Sequence, residues 1–183
     1  MIFSQPSPIQ RATIPEVLSG NSLAFAATTG SGKTLAYLLP AVQALKAAED
    51  LAPAGEDRPL KRPKVLVLVP TRELAEQVLT VAKGIAHFAK FSSTMVVGGD
   101  DYGKQTRALS GSVDLVVASP GRLLKHREMG NFHLSKVSHV IIDEVDTMLV
   151  QGFGPDIKQL LGPILFSPQR AEAVQFILAT ATM

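Results

Sequence analysis

Apolar residues fall along this chain in short runs rich in Val, Ile and Leu, separated by longer stretches where apolar positions recur every three or four residues. The first pattern predicts strands buried on both faces, the second predicts amphipathic helices, and their alternation predicts a mostly parallel sheet with helices on both faces. Strands are expected at residues 22–26, 65–69, 94–97, 115–118, 139–142 and 175–178. Leu35, Leu38, Leu39, Val42 and Leu45 mark a helix in which Pro40, lacking an N–H, introduces a bend. Leu74, Val78, Val81, Ile85 and Phe88 mark a second. Residues 49–64, "EDLAPAGEDRPLKRPK", read as an exposed connector within one domain, because prolines, a glycine and mixed charge suit neither helix nor sheet. No internal repeat is present.

Composition narrows the function classes. At 183 residues and 46% hydrophobic side chains, the chain can bury one core and is short for two ordinary domains. A net charge of +2 leans only mildly towards polyanions. The chain has no cysteine, which excludes disulfides, thiolate zinc sites and cysteine nucleophiles and fits a reducing compartment. No apolar run reaches the length of a membrane span, and the first ten residues lack the features of a secretory signal. The expectation is an intracellular protein with no membrane partner, acting as a monomer.

The chemistry concentrates in two places. "AATTGSGKT", residues 26–34, follows a predicted strand and opens a predicted helix, so backbone N–H groups and the helix dipole converge on one anion-sized spot. Thr28, Thr29, Gly30, Ser31 and Gly32 would form the loop, Lys33 would reach the β and γ phosphates, and the Thr34 hydroxyl would ligate magnesium. Ala27 stands where the general phosphate loop has glycine, which is tolerable if its φ is negative. In an empty site Lys33 should be a solvent-facing charge. A glycine-rich turn with no ligand is the plainer alternative. "DEVD", residues 143–146, follows the apolar strand "HVII" and puts carboxylates at the carboxyl end of a buried strand, where open α/β sheets bind ligands. Asp143 suits a magnesium ion held through water, and Glu144 suits orienting or deprotonating the attacking water. The same acids could simply start a helix.

Seven short motifs in order resemble the first RecA-like domain of the DEAD-box RNA helicases: "PSPIQ", "ATTGSGKT", "PTRELA", Gly98-Gly99, "SPGR", "DEVD" and "TAT". The resemblance covers nearly the whole chain and implies a RecA-like P-loop NTPase domain of α/β class. It also implies ATP and Mg2+ as cofactors, RNA as partner, and an ATP-dependent helicase activity. By position it makes Gln10 the adenine reader and assigns Lys33, Asp143, Glu144 and Asp146 to catalysis. Pro70, Thr71, Arg72, Gly99, Ser119, Pro120, Gly121 and Arg122 fall at the RNA, and Thr180 and Thr182 couple the two sites. Three departures keep the chemistry: Val145 replaces alanine in the acidic motif, Ser119 replaces threonine, and Thr180 replaces serine. The strand ending "ILATAT" should lie between the loop strand and the acidic strand. The family's upstream aromatic would precede Met1. The chain is expected to be one RecA-like domain, residues 1–183, truncated at both ends and without its second RecA-like partner, hence nearly inactive alone.

"DEVDTM" followed by "GFGP" is similar to a plant and algal branch that works in plastids on ribosomal RNA. Elsewhere the reading is plain. His87, His126, His133 and His139 lack metal spacing and suit surface or partly buried positions. Asp100-Asp101 suits a solvated turn, and no Ser-His-Asp arrangement is evident. Two activities remain open from the sequence: an enzyme that unwinds or remodels RNA, and an ATP-gated RNA clamp or scaffold.

Overall fold

A computed structural model describes residues 5–53 and 58–181. Six strands form one sheet: β1 (Leu23–Ala26), β2 (Val65–Leu68), β3 (Ser93–Val96), β4 (Leu115–Ala118), β5 (His139–Ile142) and β6 (Gln175–Thr180). All neighbours are parallel, in the order β1-β6-β5-β2-β4-β3. Each expected strand is present, with 115–118 and 139–142 at the expected bounds and the other four displaced at one or both ends by one or two residues. Leu178 pairs with Ala24 and Ile142, so β6 lies between the loop strand and the acidic strand as expected.

Among the described residues eight helices connect and cover the strands: α1 (Pro8–Leu18), α2 (Lys33–Asp50), α3 (Arg72–Ala89), α4 (Tyr102–Ser110), α5 (Pro120–Glu128), α6 (Val145–Val150), α7 (Gly154–Leu165) and α8 (Pro168–Ala173). Side chains alternate across a strand, and here the alternation sorts the core into two layers. Val65 and Val67 pack with Tyr37, Leu38 and Val42 of α2 and Val78 of α3. Leu66 and Leu68 face the opposite layer, with Leu109 of α4, Leu123 of α5, Met148 of α6 and Leu160 of α7. Because β2, β4 and β5 are buried at every position, neither face of the central sheet can be polar. Truncating Leu66, fully buried between strands and helices, to alanine would cost about 2–5 kcal/mol.

Three sequence readings are corrected here. Leu39 and Phe88, counted on buried helix faces, are 39% and 86% exposed; an apolar side chain is not obliged to be inside. The connector begins later, because α2 runs through Pro40 to Asp50. Its far end is anchored: Arg58 pairs with Asp114 at 3.2 Å, the Lys61 N–H donates to the Gly111 carbonyl, and Pro63 is buried.

Candidate nucleotide and RNA site

Every motif singled out in the sequence sits beyond the carboxyl end of a strand or at the start of the following helix, except Gln10, which lies in α1. Parallel strands send their carboxyl ends to one edge of the sheet, so residues distant in sequence are gathered there. The β1-β6-β5 half carries the phosphate loop, Thr180 and the acids. The β2-β4-β3 half carries residues 70–72, 119–122 and 97–99.

In the first half, Gly30 and Gly32 have φ of +80° and +94°, a conformation that favours glycine, whereas Ala27 does not adopt positive φ. A Cβ at position 32 would also lie 2.5 Å from Gln10 Nε2 and force that side chain to shift. Gln10 reaches the loop from α1. Its Nε2 donates to the Gly32 carbonyl at 3.2 Å, while its Oε1 accepts from the Ser7 N–H at 3.0 Å as part of a capping box. Between Ser7–Ala12 on one side and the loop on the other lies a cleft of about 600 Å³. The Ser31 hydroxyl oxygen is buried with no hydrogen-bond partner among the described residues. An orphaned hydroxyl at the base of such a loop fits a ligand oxygen.

Lys33 is not solvent-facing, which corrects the sequence reading. It is half-buried, and its Nζ donates to the Ala27 carbonyl at 2.7 Å and, more weakly, to the Thr180 carbonyl at 3.5 Å. Carbonyls at the ends of β1 and β6 hold the ammonium in this structure.

Asp143 is only 2% exposed. The Tyr37 hydroxyl donates to its Oδ2 at 2.7 Å, and the Glu144 N–H donates to its Oδ1 at 2.9 Å. Burial pushes the Asp143 carboxyl above its ordinary range; the Tyr37 and Glu144 hydrogen bonds and the Lys33 charge pull against that. Burial and then the Asp143 charge push the Tyr37 hydroxyl well above its ordinary value, and a hydrogen-bonding influence of Thr34 pulls the other way. Tyr37 therefore stands between the two residues assigned to magnesium, Thr34 and Asp143. A buried carboxylate and a threonine hydroxyl, each acting on the same tyrosine, are oxygen donors of the kind that suit a hard cation completed by waters and phosphates. Among the described residues no cluster of three or more His, Asp or Glu could hold a metal by itself.

Glu144 caps α6 with φ +50° and ψ +51°, a left-handed conformation that costs a non-glycine residue on the order of 1 kcal/mol. The acidic motif does begin a helix, since α6 starts here with Asp146 in its first turn. Asp146 accepts from the Thr147 N–H at 3.0 Å, and the Thr180 carbonyl accepts from the Ala27 N–H at 3.1 Å. Thr182 lies outside the described residues.

In the second half, Pro70, Arg72, Gly99, Ser119, Gly121 and Arg122 line one groove of about 720 Å³. Thr71 stands beside it as the cap of α3, accepting from the Leu74 N–H at 3.2 Å, and Pro120 is buried in the first turn of α5. Arg72 pairs with Asp100 at 2.5 Å and with Glu76 at 3.0 Å. Asp100 is therefore an ion-pair partner, and Asp101 caps α4 by accepting from the Lys104 N–H at 2.7 Å, so the pair is more than a solvated turn. Arg122 donates to the carbonyls of Val97 and Asp100 and lies over the Tyr102 ring, 5.3 Å from its centroid. Behind it, His126 is 0% exposed, stacked on Tyr102 at 4.1 Å and bonded to Gln105 and Asn131. His139, at the start of β5, is also buried. Both histidines were read from sequence as surface or partly buried; long-range packing against the sheet put them inside.

The sequence reading missed Tyr37, Lys125 and Phe153. Tyr37 carried a signal, because a phenol amid an apolar helix face must find a hydrogen-bond partner when buried. Lys125 lies three residues after Arg122 on the same helix and lines the same groove. Phe153 carried none.

A parallel sheet of this order, with a glycine-kinked loop opening a helix on one strand and buried acid on a neighbour two strands away, defines a RecA-like P-loop domain. The family model for the DEAD/DEAH box helicase matches residues 7–183, and the chain belongs to that family. It is similar to DEAD-box ATP-dependent RNA helicase 39 of Arabidopsis thaliana, at 45% identity over 183 residues, covering 97% of this chain and 29% of the relative. Against DEAD-box ATP-dependent RNA helicase 20 of Oryza sativa subsp. japonica it is 44% identical over 162 residues, covering 88% and 32%. The crystal structure of a hypothetical ATP-dependent RNA helicase from Sulfolobus tokodaii matches with a TM-score of 0.80 at 35% identity, covering 98% of this chain and 47% of that one. The chain thus spans roughly three tenths of the length of these curated relatives.

Proposed function

We propose that this chain is the ATP-binding half of an RNA-stimulated ATPase that unwinds or remodels RNA. The observation that carries this is the juxtaposition on one sheet edge of a phosphate-shaped loop and an arginine-lined groove. In this reading Gln10 reads adenine with the amide hydrogen and lone pair that its bonds to Gly32 and Ser7 leave free. Thr28, Thr29, Gly30, Ser31, Gly32, Lys33 and Thr34 cradle the phosphates, with Lys33 exchanging the Ala27 carbonyl for phosphate oxygens. Thr34 and Asp143 hold Mg2+, which when bound neutralises charge on the β and γ phosphates. Glu144 orients the attacking water, and Asp146 with Thr180 and Thr182 couples that site to RNA. Pro70, Thr71, Arg72, Gly99, Ser119, Pro120, Gly121 and Arg122 contact the RNA backbone and sugars, which carry no sequence information.

A second RecA-like domain supplies the arginines that stabilise the transferring phosphate; the 47% coverage of the solved relative supports this. Such an arginine contributes roughly 10³–10⁵ in turnover, or about 4–7 kcal/mol of barrier. The chain alone should therefore bind ATP weakly and turn over almost none. Turnover with and without RNA, measured at equal concentration for this chain and for a two-domain protein containing it, tests the reading. Full activity in the lone domain would overturn it. The same reading makes the protein a monomer inside the cell. Among the described residues no helix is long and apolar enough to cross a membrane. The "DEVDTM" and "GFGP" segments, by their likeness to a plant and algal branch, support a plastid location and a ribosomal RNA substrate; imaging the tagged full-length protein tests the location.

A further inference from the structure

Parallel strands also have a shared amino edge, opposite the one that holds the motifs, and a second set of cations converges there. The Lys61 carbonyl accepts from the His133 N–H at 2.8 Å, and Lys61 Nζ donates to the Gly130 carbonyl. Arg62 donates to Ser135 Oγ at 3.1 Å, and Arg170 donates to the carbonyls of Leu134 and Val137. Lys61, Arg62 and Arg170 are thus tied to the segment just before β5, which also carries His133 and Lys136. Arg127, at the end of α5, lines with His133 and Arg170 a groove of about 430 Å³ floored by Leu134, Pro163 and Ile164.

None of these cations has a carboxylate within 4 Å among the described residues: the ion pairs there involve Lys46, Arg58 and Arg72. Glu128, the acid next to Arg127, accepts instead from the Gln159 amide at 3.0 Å. Arg127 and Arg170 each spend a single Nη on backbone carbonyls, which leaves further N–H donors of each guanidinium open. Unpaired cations gathered at one place repel one another, and an anion relieves that repulsion. Helix α5 joins this surface to the motif groove, giving Arg122 and Lys125 to one and Arg127 to the other over roughly 8 Å of helix.

We propose that this amino-edge surface is a second RNA contact, where a strand leaving the motif groove continues along α5 and lays its phosphates on Lys61, Arg62, Arg127, Lys136 and Arg170. It rests on the RNA-binding reading above. An acidic protein partner would use the cations alike, but continuity with the motif groove and the apolar floor beside the cations favour a nucleic acid strand.

The test is fluorescence anisotropy on this chain with oligouridines of about 6 and about 20 nucleotides, spanning the range of single-strand site sizes, at several salt concentrations. The triple variant Lys61→Gln, Arg62→Gln, Lys136→Gln should bind the long RNA about tenfold more weakly or worse. Its salt slope should fall by about 2, three cations at about 0.7 each for single strands, while the short RNA is unaffected. Lys136→Glu alters an exposed side chain with no hydrogen-bond partner among the described residues and serves as a second variant if the triple one does not fold. Unchanged long-RNA affinity in a folded variant overturns the inference, as does equal weakening of both RNAs. Loss of polyglutamate binding with RNA binding intact would assign the surface to an acidic protein and also overturn it. A wild-type chain that binds neither RNA defeats the proposed function itself, whereas a wild type that binds and a variant that binds equally defeats only this second contact.

Discussion

The two halves of the motif edge are held in place by different forces. In the β1-β6-β5 half the candidate site groups are buried or half-buried and held by neutral partners or backbone: Asp143 by Tyr37 and the Glu144 N–H, Lys33 by the Ala27 carbonyl, Gln10 by Gly32. In the β2-β4-β3 half, Arg72 is held at the surface by Asp100 and Glu76. Arg122 is held by carbonyls of the Val97–Asp100 turn. Hydrogen bonds made in the low dielectric of the first half persist in salt and fix geometry before a ligand arrives. Surface ion pairs are screened, so Arg72 can leave its carboxylates for a phosphate at little cost. In the proposed reading, the nucleotide half is held ready, and Arg72 of the RNA half is held loosely enough to be released.

The strongest way to break this contrast is Lys33→Ala. It removes the charge from the prepared half and should weaken ATP binding by the worth of a charge-assisted hydrogen bond, about 1.5–3 kcal/mol, or roughly 10- to 150-fold. Titration calorimetry reads it, with melting curves as the folding control. Unchanged affinity would mean that the loop is not a phosphate site.

Tyr37→Phe asks whether the readiness of that half depends on one hydroxyl. Asp143 would keep its burial and lose its side-chain donor, so stability should fall by about 1–3 kcal/mol. Denaturant unfolding measures this; a variant as stable as the parent would show that Asp143 finds another donor.

Gln10→Ala should act more weakly, because each neutral hydrogen bond is worth about 0.5–1.5 kcal/mol. The ratio of ATP to GTP affinity is the measurement of interest, since loss of the Gly32 and Ser7 contacts would affect both nucleotides alike. An unchanged ratio would remove Gln10 from base recognition and leave it as a clasp between α1 and the loop.

The smallest expected effect separates the halves by pH. Burial, then the Arg122 charge, holds the His126 imidazole below its ordinary range, and burial does the same for His139. With a folded pKa below the unfolded value of about 6.5, each contributes stability that is complete above that pH and lost as pH falls through the folded value. Asp143, raised by burial, has the opposite sign: the stability it contributes is full below the unfolded value of about 4 and is lost as pH rises through its raised folded value. Between about pH 7.5 and 5.5, melting temperature should therefore fall, and amide exchange should quicken first around α4 and α5. A melting temperature that rises with acidification in this window would refute the neutral, buried state of His126.

Much of this was legible in the chain before any coordinates. Strand runs such as "VLVL" and "HVII" are apolar at every position, which only a sheet covered on both faces can absorb, so fold class and strand positions followed from local pattern. The phosphate loop was legible too, because its glycines, lysine and threonine are adjacent in sequence and their chemistry needs that adjacency. What sequence could not supply were partners brought together from far apart. Tyr37 and Asp143 are 106 residues apart and meet only because α2 packs beneath the β5 end of the sheet. Lys33 turns to the carbonyls of Ala27 and Thr180, His126 is buried by Tyr102 and Gln105, and the cations of the amino edge gather around one pre-strand segment. Periodicity reports which side of an element is apolar, because that depends on neighbours along the chain. Which buried polar atom finds which donor depends on strand order and helix packing, and those exist only once the chain has closed on itself.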